Sequence, residues 1–193
     1  MSNRIMLPGV ALCSPFAQGD LDNLCGIYAT VNALCLTSAP IRPLSRVEAR
    51  HLLHSGVTYL SRRGWLSDAF IYGMALQQQR AVTQHMAKTA ARLTDLDFAA
   101  TPVIPRTPKL NTNAALQLLA SSIAAGSAVV TCLENTFWHY TVISGVSASR
   151  VYLFDSDGLH WIERRSFGIY RQGCHARHQV PRASLIKVSI TKM

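Results

Sequence analysis

Gln18-Gly-Asp-Leu-Asp-Asn-Leu-Cys25-Gly-Ile-Tyr-Ala-Thr-Val-Asn-Ala-Leu34 is the stretch that decides how this 193-residue chain is read. Polar residues from Gln18 to Asn23 run straight into Leu24, Ile27, Tyr28, Val31, Leu34 and Cys35, apolar positions three and four apart. That spacing predicts a helix with one apolar face. Asp22 and Asn23 are residue types that cap a helix start. Cys25 then falls in the first turn, among backbone N–H groups that lack an intrahelical acceptor. There the positive end of the helix dipole favours a thiolate. A cysteine kept for packing belongs more often in mid-helix.

Two later stretches carry the partners that such a sulfur needs. Phe137-Trp-His139-Tyr-Thr-Val-Ile-Ser-Gly145 and Val151-Tyr-Leu-Phe-Asp155-Ser-Asp-Gly158 read as strands joined through Val146-Ser-Ala-Ser149, a hairpin by spacing. His139 opens one strand and Asp155 closes the other, and in an antiparallel pair those two ends lie together. The chain thus offers a thiol, an imidazole and a carboxylate. An imidazole can take the proton of a nearby thiol, and a carboxylate can orient the ring. Competing readings exist for each group. Cys25 could be core, His139 a packed strand histidine, and Asp155 the start of the Asp155-Ser-Asp157-Gly158 turn. Asp157 competes with Asp155, and His175 and His178 are alternative bases in a loop.

These three stretches resemble the papain-like superfamily of cysteine peptidases, closest to compact bacterial members such as the bacteriocin-processing peptidase domains of transporters. In those a glutamine precedes a Cys-Gly helix start, a strand like His139-Tyr-Thr-Val-Ile-Ser-Gly145 begins at the histidine, and an aspartate ends the next strand. The resemblance covers the catalytic ends of roughly half the chain. It implies catalytic Cys25, His139 and Asp155, with the Cys25 N–H and the Gln18 side chain as oxyanion donors. The gap from Gln18 to Cys25 is slightly long for that family, and Asn23 is the alternative donor. Trp138 is read either as a wall of the substrate cleft or as a core aromatic. Gly26 is read either as room for substrate backbone or as an ordinary early-helix glycine.

Composition agrees with an enzyme-sized domain. Hydrophobic residues make up 49% and charged ones 15%, enough for a core. Lys and Arg outnumber Asp and Glu by 19 to 10, giving a formal charge of +9. The Gly168–Pro181 loop, with Arg171 and Arg177 and the following Arg182, would draw an acidic partner. No nucleic-acid motif accompanies the charge, so nucleic acid is not the expected partner. Five cysteines at scattered spacing suggest neither a disulfide framework nor a zinc site. No metal or other cofactor is expected. Leu12 before Cys13 is a poor signal-cleavage position, and no apolar run reaches membrane-spanning length. The expectation is a cytoplasmic protein, or one exported as an effector without a cleavable N-terminal signal.

The expected fold class is α+β, a single papain-like domain over residues 1–193. A helical part over about 18–80 packs on an antiparallel sheet over about 127–191. Residues 1–17 read as an extended lead-in. Ser45-Arg-Val-Glu48 has capping-box spacing and opens a helix to about His54. His51 and His54 on it read as solvent-facing. Gly56–Gly64 reads as a connector, then a helix from Trp65 capped by Ser67 and ended near Gln77–Gln79. Ala81–Met86 reads as a weak strand. Thr101–Pro108, rich in proline, fits neither a regular helix nor a central strand. Asn111–Ala125 reads as a helix closed by Gly126.

The resemblance implies a cysteine hydrolase acting on a peptide or isopeptide bond of a protein or peptide substrate. A ubiquitin-like Gly-Gly tail is one version. Deamidation or transglutamination of a protein target by the same acyl-enzyme chemistry is an alternative. A non-catalytic binding module is another, though a pure binder has no need of all three groups.

Overall fold

The computed structural model describes residues 4–19, 22–104, 111–170 and 175–191. Arg171, Cys174 and the Pro105–Pro108 end of the proline-rich stretch lie outside these residues. Helices come first: α1 (Cys25–Ser38), α2 (Arg46–Arg62), α3 (Leu66–Tyr72) and α4 (Leu76–Thr94). They pack on a mostly antiparallel sheet of β1 (Ile5–Met6), β2 (Phe98–Pro102), β3 (Ala128–Leu133), β4 (His139–Val146), β5 (Arg150–Leu153), β6 (Trp161–Glu163) and β9 (Ile186–Ile190). Its order is β2-β9-β3-β4-β5-β6, with β1 paired to β4. A fifth helix, α5 (Thr112–Ala124), leads into β3. The architecture is α+β, as the order of patterns in the sequence predicts.

α1 runs through the middle of the molecule, between α2 and α4 on one side and β3, β4 and β9 on the other. Except for half-buried Tyr28, its residues are buried all round, so the predicted single apolar face is really a whole circumference. A buried helix must satisfy its polar side chains internally. Thr30 Oγ1 donates to the Gly26 carbonyl at 2.9 Å. Asn32 accepts from the Phe16 N–H at 2.8 Å and donates to the Phe16 carbonyl at 3.2 Å, tying the lead-in across the helix.

Several expectations for the helical part are corrected. α2 does not stop near His54 but continues to Arg62, through the supposed connector. Gly56 is a mid-helix residue whose missing side chain lets Met86 and Ile27 approach. Ser45 and Glu48 do form the capping box. Ser67 does not cap α3: Trp65 holds the N-cap position without a side-chain bond. The glutamine run does not end a helix, and Ala81–Met86 is not a strand. Both lie within α4, whose buried Gln79, Val82, Thr83, Met86, Ala87, Ala90 and Thr94 recur at three- and four-residue spacing. Polar residues on the buried side hid that period. The helical part therefore reaches Thr94 rather than residue 80. The basic stretch before Pro181 is not only loop, since β8 (His178–Val180) pairs in parallel with β7 (Phe167–Ile169).

The proline-bearing β2 sits at the sheet edge, paired only with β9, where a missing N–H is tolerated. α5 is capped by Asn111, which accepts from the Ala114 N–H at 2.8 Å, and Gly126 follows with φ 78°.

β4 is the longest strand, and it carries one irregularity. Val146 faces Val151 and Gly145 faces Tyr152, but Ile143 faces Leu153, so Ser144 is an extra residue. β1 runs along the same end of β4, where the Leu7 N–H takes the Ser144 carbonyl at 2.9 Å. A side chain on Gly145 would meet the Ile5 carbonyl oxygen at 2.9 Å as well as the Met6 side chain. Gly145→Ala is therefore expected to lower stability by about 1–3 kcal/mol, read as a shifted urea midpoint at unchanged slope. An unchanged midpoint would show that β1 does not press on β4 as described.

Candidate active site

The bulge at Ser144 sets which face of the sheet Asp155 occupies. Opposed residues of an antiparallel pair share a face, and a one-residue shift exchanges the faces. Continued past Ile143–Leu153, the pairing puts Asp155 opposite Thr141, on the face that also carries His139. Were Ser144 paired regularly with Leu153 instead, Asp155 would oppose Val142 and point the other way. In the structure His139 Nε2 and Asp155 Oδ2 are 2.8 Å apart, with both side chains buried. The second carboxylate oxygen accepts from the Asp157 N–H at 2.8 Å and the Leu159 N–H at 3.2 Å. Asp157 is exposed and contributes its backbone, so Asp155 is the carboxylate at the ring.

Cys25 reaches the same place from α1. The Tyr140 N–H points at its sulfur at 3.5 Å, directly after His139 in the chain. With Nε2 on Asp155, Nδ1 is the ring nitrogen left to face Cys25, whose charge and polar side chain favour the protonated ring. Burial alone would lower the His139 pKa. The bonds and charges of Asp155 and Cys25 more than offset it and raise the ring well above the ordinary imidazole value. Burial alone would raise the Asp155 carboxyl, but His139 holds it below the ordinary carboxylate value. The pair therefore stands as imidazolium and carboxylate at neutral pH. Burial pushes the Cys35 and Cys132 thiols up to about 12.

The cap of α1 is not as predicted. Leu24 occupies the N-cap position, and the Asp22 carboxylate accepts from the Leu24 N–H at 2.9 Å. Asn23 gives its side-chain amide to the Phe70 and Ile71 carbonyls at 3.1 and 2.8 Å. Both of its hydrogens are thereby used to fasten α3 to the start of α1, which removes Asn23 as an oxyanion donor. Gln18 N–H donates to the Ser156 carbonyl at 2.9 Å, beside Asp155, and its side-chain nitrogen donates to the Asp22 carbonyl at 2.5 Å. One amide hydrogen of Gln18 remains uncommitted. The space left by Gly26 is filled by Gln79 and Met74 rather than open to a ligand. Gln79 Nε2 donates to the Gly26 carbonyl at 2.9 Å, a support for the first turn that the sequence did not reveal.

A cavity of about 260 Å³ opens beside Cys25, bounded by the α3–α4 connection and by Cys132, Glu134, Trp138 and Tyr140. Trp138 is 73% exposed on its rim, with φ 49°, so it is no core aromatic. Tyr140 closes the floor, donating its hydroxyl to the Met74 carbonyl at 3.2 Å. The basic stretch reaches this rim from behind. The Arg177 carbonyl accepts from Thr136 Oγ1 at 2.6 Å, and Phe137 stacks on His178 at 5.2 Å. His178 is thus a buried packing partner, and His175, His51 and His54 are exposed. Another cavity, of about 790 Å³, lies between the start of α5 and the β5–β6 edge and has no cysteine in its wall.

Cys13, Cys25, Cys35 and Cys132 carry free thiols. Among the described residues no three His, Cys, Asp or Glu side chains are grouped to hold a metal, and no helix is long and apolar enough to cross a membrane. No family model, curated protein or solved structure matches this chain.

A titration of the His139 ring checks the electrostatics. By NMR the ring is expected to remain charged through pH 6–8 in the native protein. In Asp155→Asn its midpoint should fall toward the ordinary value of about 6.5, because the charge that favours the protonated ring is gone. Identical midpoints in the two proteins would mean that the carboxylate does not set the state of the ring.

Proposed function

We propose that this protein is a cysteine hydrolase of the papain-like type, cleaving a peptide or isopeptide bond through Cys25, His139 and Asp155. The observation that carries the reading is the His139 ring bonded to the buried Asp155 carboxylate, with the Cys25 sulfur, at the start of a buried helix, met by the N–H of the next residue, Tyr140. A packing cysteine and a packing histidine would not need a buried carboxylate aligned with them.

In this reading the Cys25 thiolate attacks the substrate carbonyl carbon. The C–N bond breaks, the His139 imidazolium gives its proton to the departing amine, and a thioester remains. Water then loses a proton to the neutral ring as its oxygen attacks the thioester carbonyl. The C–S bond breaks, the acid product leaves, and the thiolate–imidazolium pair is restored. Asp155 keeps the ring in the tautomer and orientation that both steps require. The negative oxygen of each tetrahedral intermediate is met by the Cys25 N–H and by the free amide hydrogen of Gln18.

The test is release of new amino termini from a mixture of unfolded polypeptides. Cys25→Ala is expected to abolish it, and His139→Ala to slow it by about 10²–10⁴-fold. Asp155→Asn should be milder, since an amide oxygen can still orient the ring. A Cys25→Ala protein that releases termini at the native rate would contradict the proposal.

A further inference from the structure

The cavity beside Cys25 carries a charge that no described residue balances. Glu134 is in its wall, and neither lysine nor arginine is. Among the described residues no cation pairs with this carboxylate, in a protein with 19 basic and 10 acidic residues. Burial raises the Glu134 pKa. A half-buried carboxylate with no partner is costly unless something else supplies one. At the mouth stand two aromatic side chains, Tyr72 at 82% exposure and Trp138 at 73%. Aromatic faces above a carboxylate are the setting in which an ammonium or guanidinium is bound.

The segment that carries these groups is firmly held. Glu134 and Gln179 exchange backbone hydrogen bonds at 2.8 and 3.3 Å, and Thr136 and Phe137 are fastened to Arg177 and His178. Trp138 is kept in a left-handed conformation that a bulky residue avoids unless its surroundings impose it. An exposed tryptophan held in that way gains nothing from core packing. Its position makes sense as a contact surface.

We infer that the cavity lined by Glu134, Tyr72 and Trp138 is a subsite for a lysine or arginine side chain next to the bond that Cys25 attacks. The inference rests on the hydrolase reading and adds the class of substrate. The stem of the basic side chain lies along Met74 and the aromatic rings, and its charged head reaches Glu134. The long-range field opposes this choice, since the whole chain is strongly positive. Preference for a cation must therefore arise from contact inside the cavity and survive high salt, where the Debye length is about 3 Å at 1 M.

Lysyl and norleucyl chloromethyl ketones, matched except for the terminal ammonium, test this by their rates of Cys25 alkylation at 1 M salt. Each rate is expressed relative to iodoacetamide and mapped by mass spectrometry. The lysyl reagent is expected to react about tenfold faster or more, and Glu134→Gln should erase the difference. Equal rates for the two reagents, or a faster norleucyl reagent, would overturn the subsite while leaving the nucleophile in place. A lysyl preference that persists in Glu134→Gln would overturn the assignment to this carboxylate. A Cys25 that none of the three reagents modifies would overturn the hydrolase reading, and the subsite with it.

Discussion

The candidate site depends on the register shift at Ser144 in β4. Sheet pairing fixes side-chain faces in steps of one residue, and there is no intermediate setting. Ser144 supplies the shift that brings Asp155 to the face of His139, and the structure takes up the consequences nearby. The Ser144 carbonyl is used by the Leu7 N–H, and Gly145 has no side chain where β1 crosses. The two-residue strand near the N-terminus is thus a clamp on the bulge. Regular pairing of Ser144 with Leu153 would put the carboxylate on the wrong side.

The second constraint is burial of α1. A helix enclosed on all sides cannot slide or tilt without opening cavities, so its first residue is positioned as firmly as its middle. Polar side chains in and around α1 have partners of defined geometry. Gln79 bonds the Gly26 carbonyl, Asn32 bonds the Phe16 backbone, and Asn23 bonds the end of α3. Each links Cys25 to a different neighbour: α4, the lead-in that carries Gln18, and the helix that carries Tyr72. The proposed nucleophile, the proposed oxyanion donor and the cavity rim are in this way coupled to one rigid element.

The sequence was most informative where pattern and chemistry coincide. The Cys25 helix start, the Ser45–Glu48 capping box and the hairpin ends at His139 and Asp155 could each be read from spacing. The helix boundaries from Gly56 to Thr94 could not. Gly56 and the buried Gln79, Thr83 and Thr94 break the apolar period that marks a helix, and only the tertiary partners of those residues explain them. The bulge was invisible for a related reason. Ile143-Ser-Gly145 reads as regular strand, and the extra residue appears only once β5 is laid beside it. Asn23 illustrates a further limit: its type suits a cap or a donor, but its bonds to Phe70 and Ile71 depend on a helix nearly fifty residues away. Glu134 gave no signal in the sequence, because a single carboxylate becomes notable only when its surroundings are known.

The proposed chemistry requires His139 to make Cys25 a readier nucleophile than Cys35 or Cys132. The most direct measurement is the rate of iodoacetamide modification at each cysteine of the folded protein at pH 5.5, with and without His139→Ala. The account predicts fast reaction at Cys25, slow reaction at Cys35 and Cys132, whose thiols are pushed up to about 12, and a marked slowing at Cys25 when the imidazole is removed. Similar rates at all three cysteines, or a Cys25 rate unaffected by His139→Ala, would contradict it.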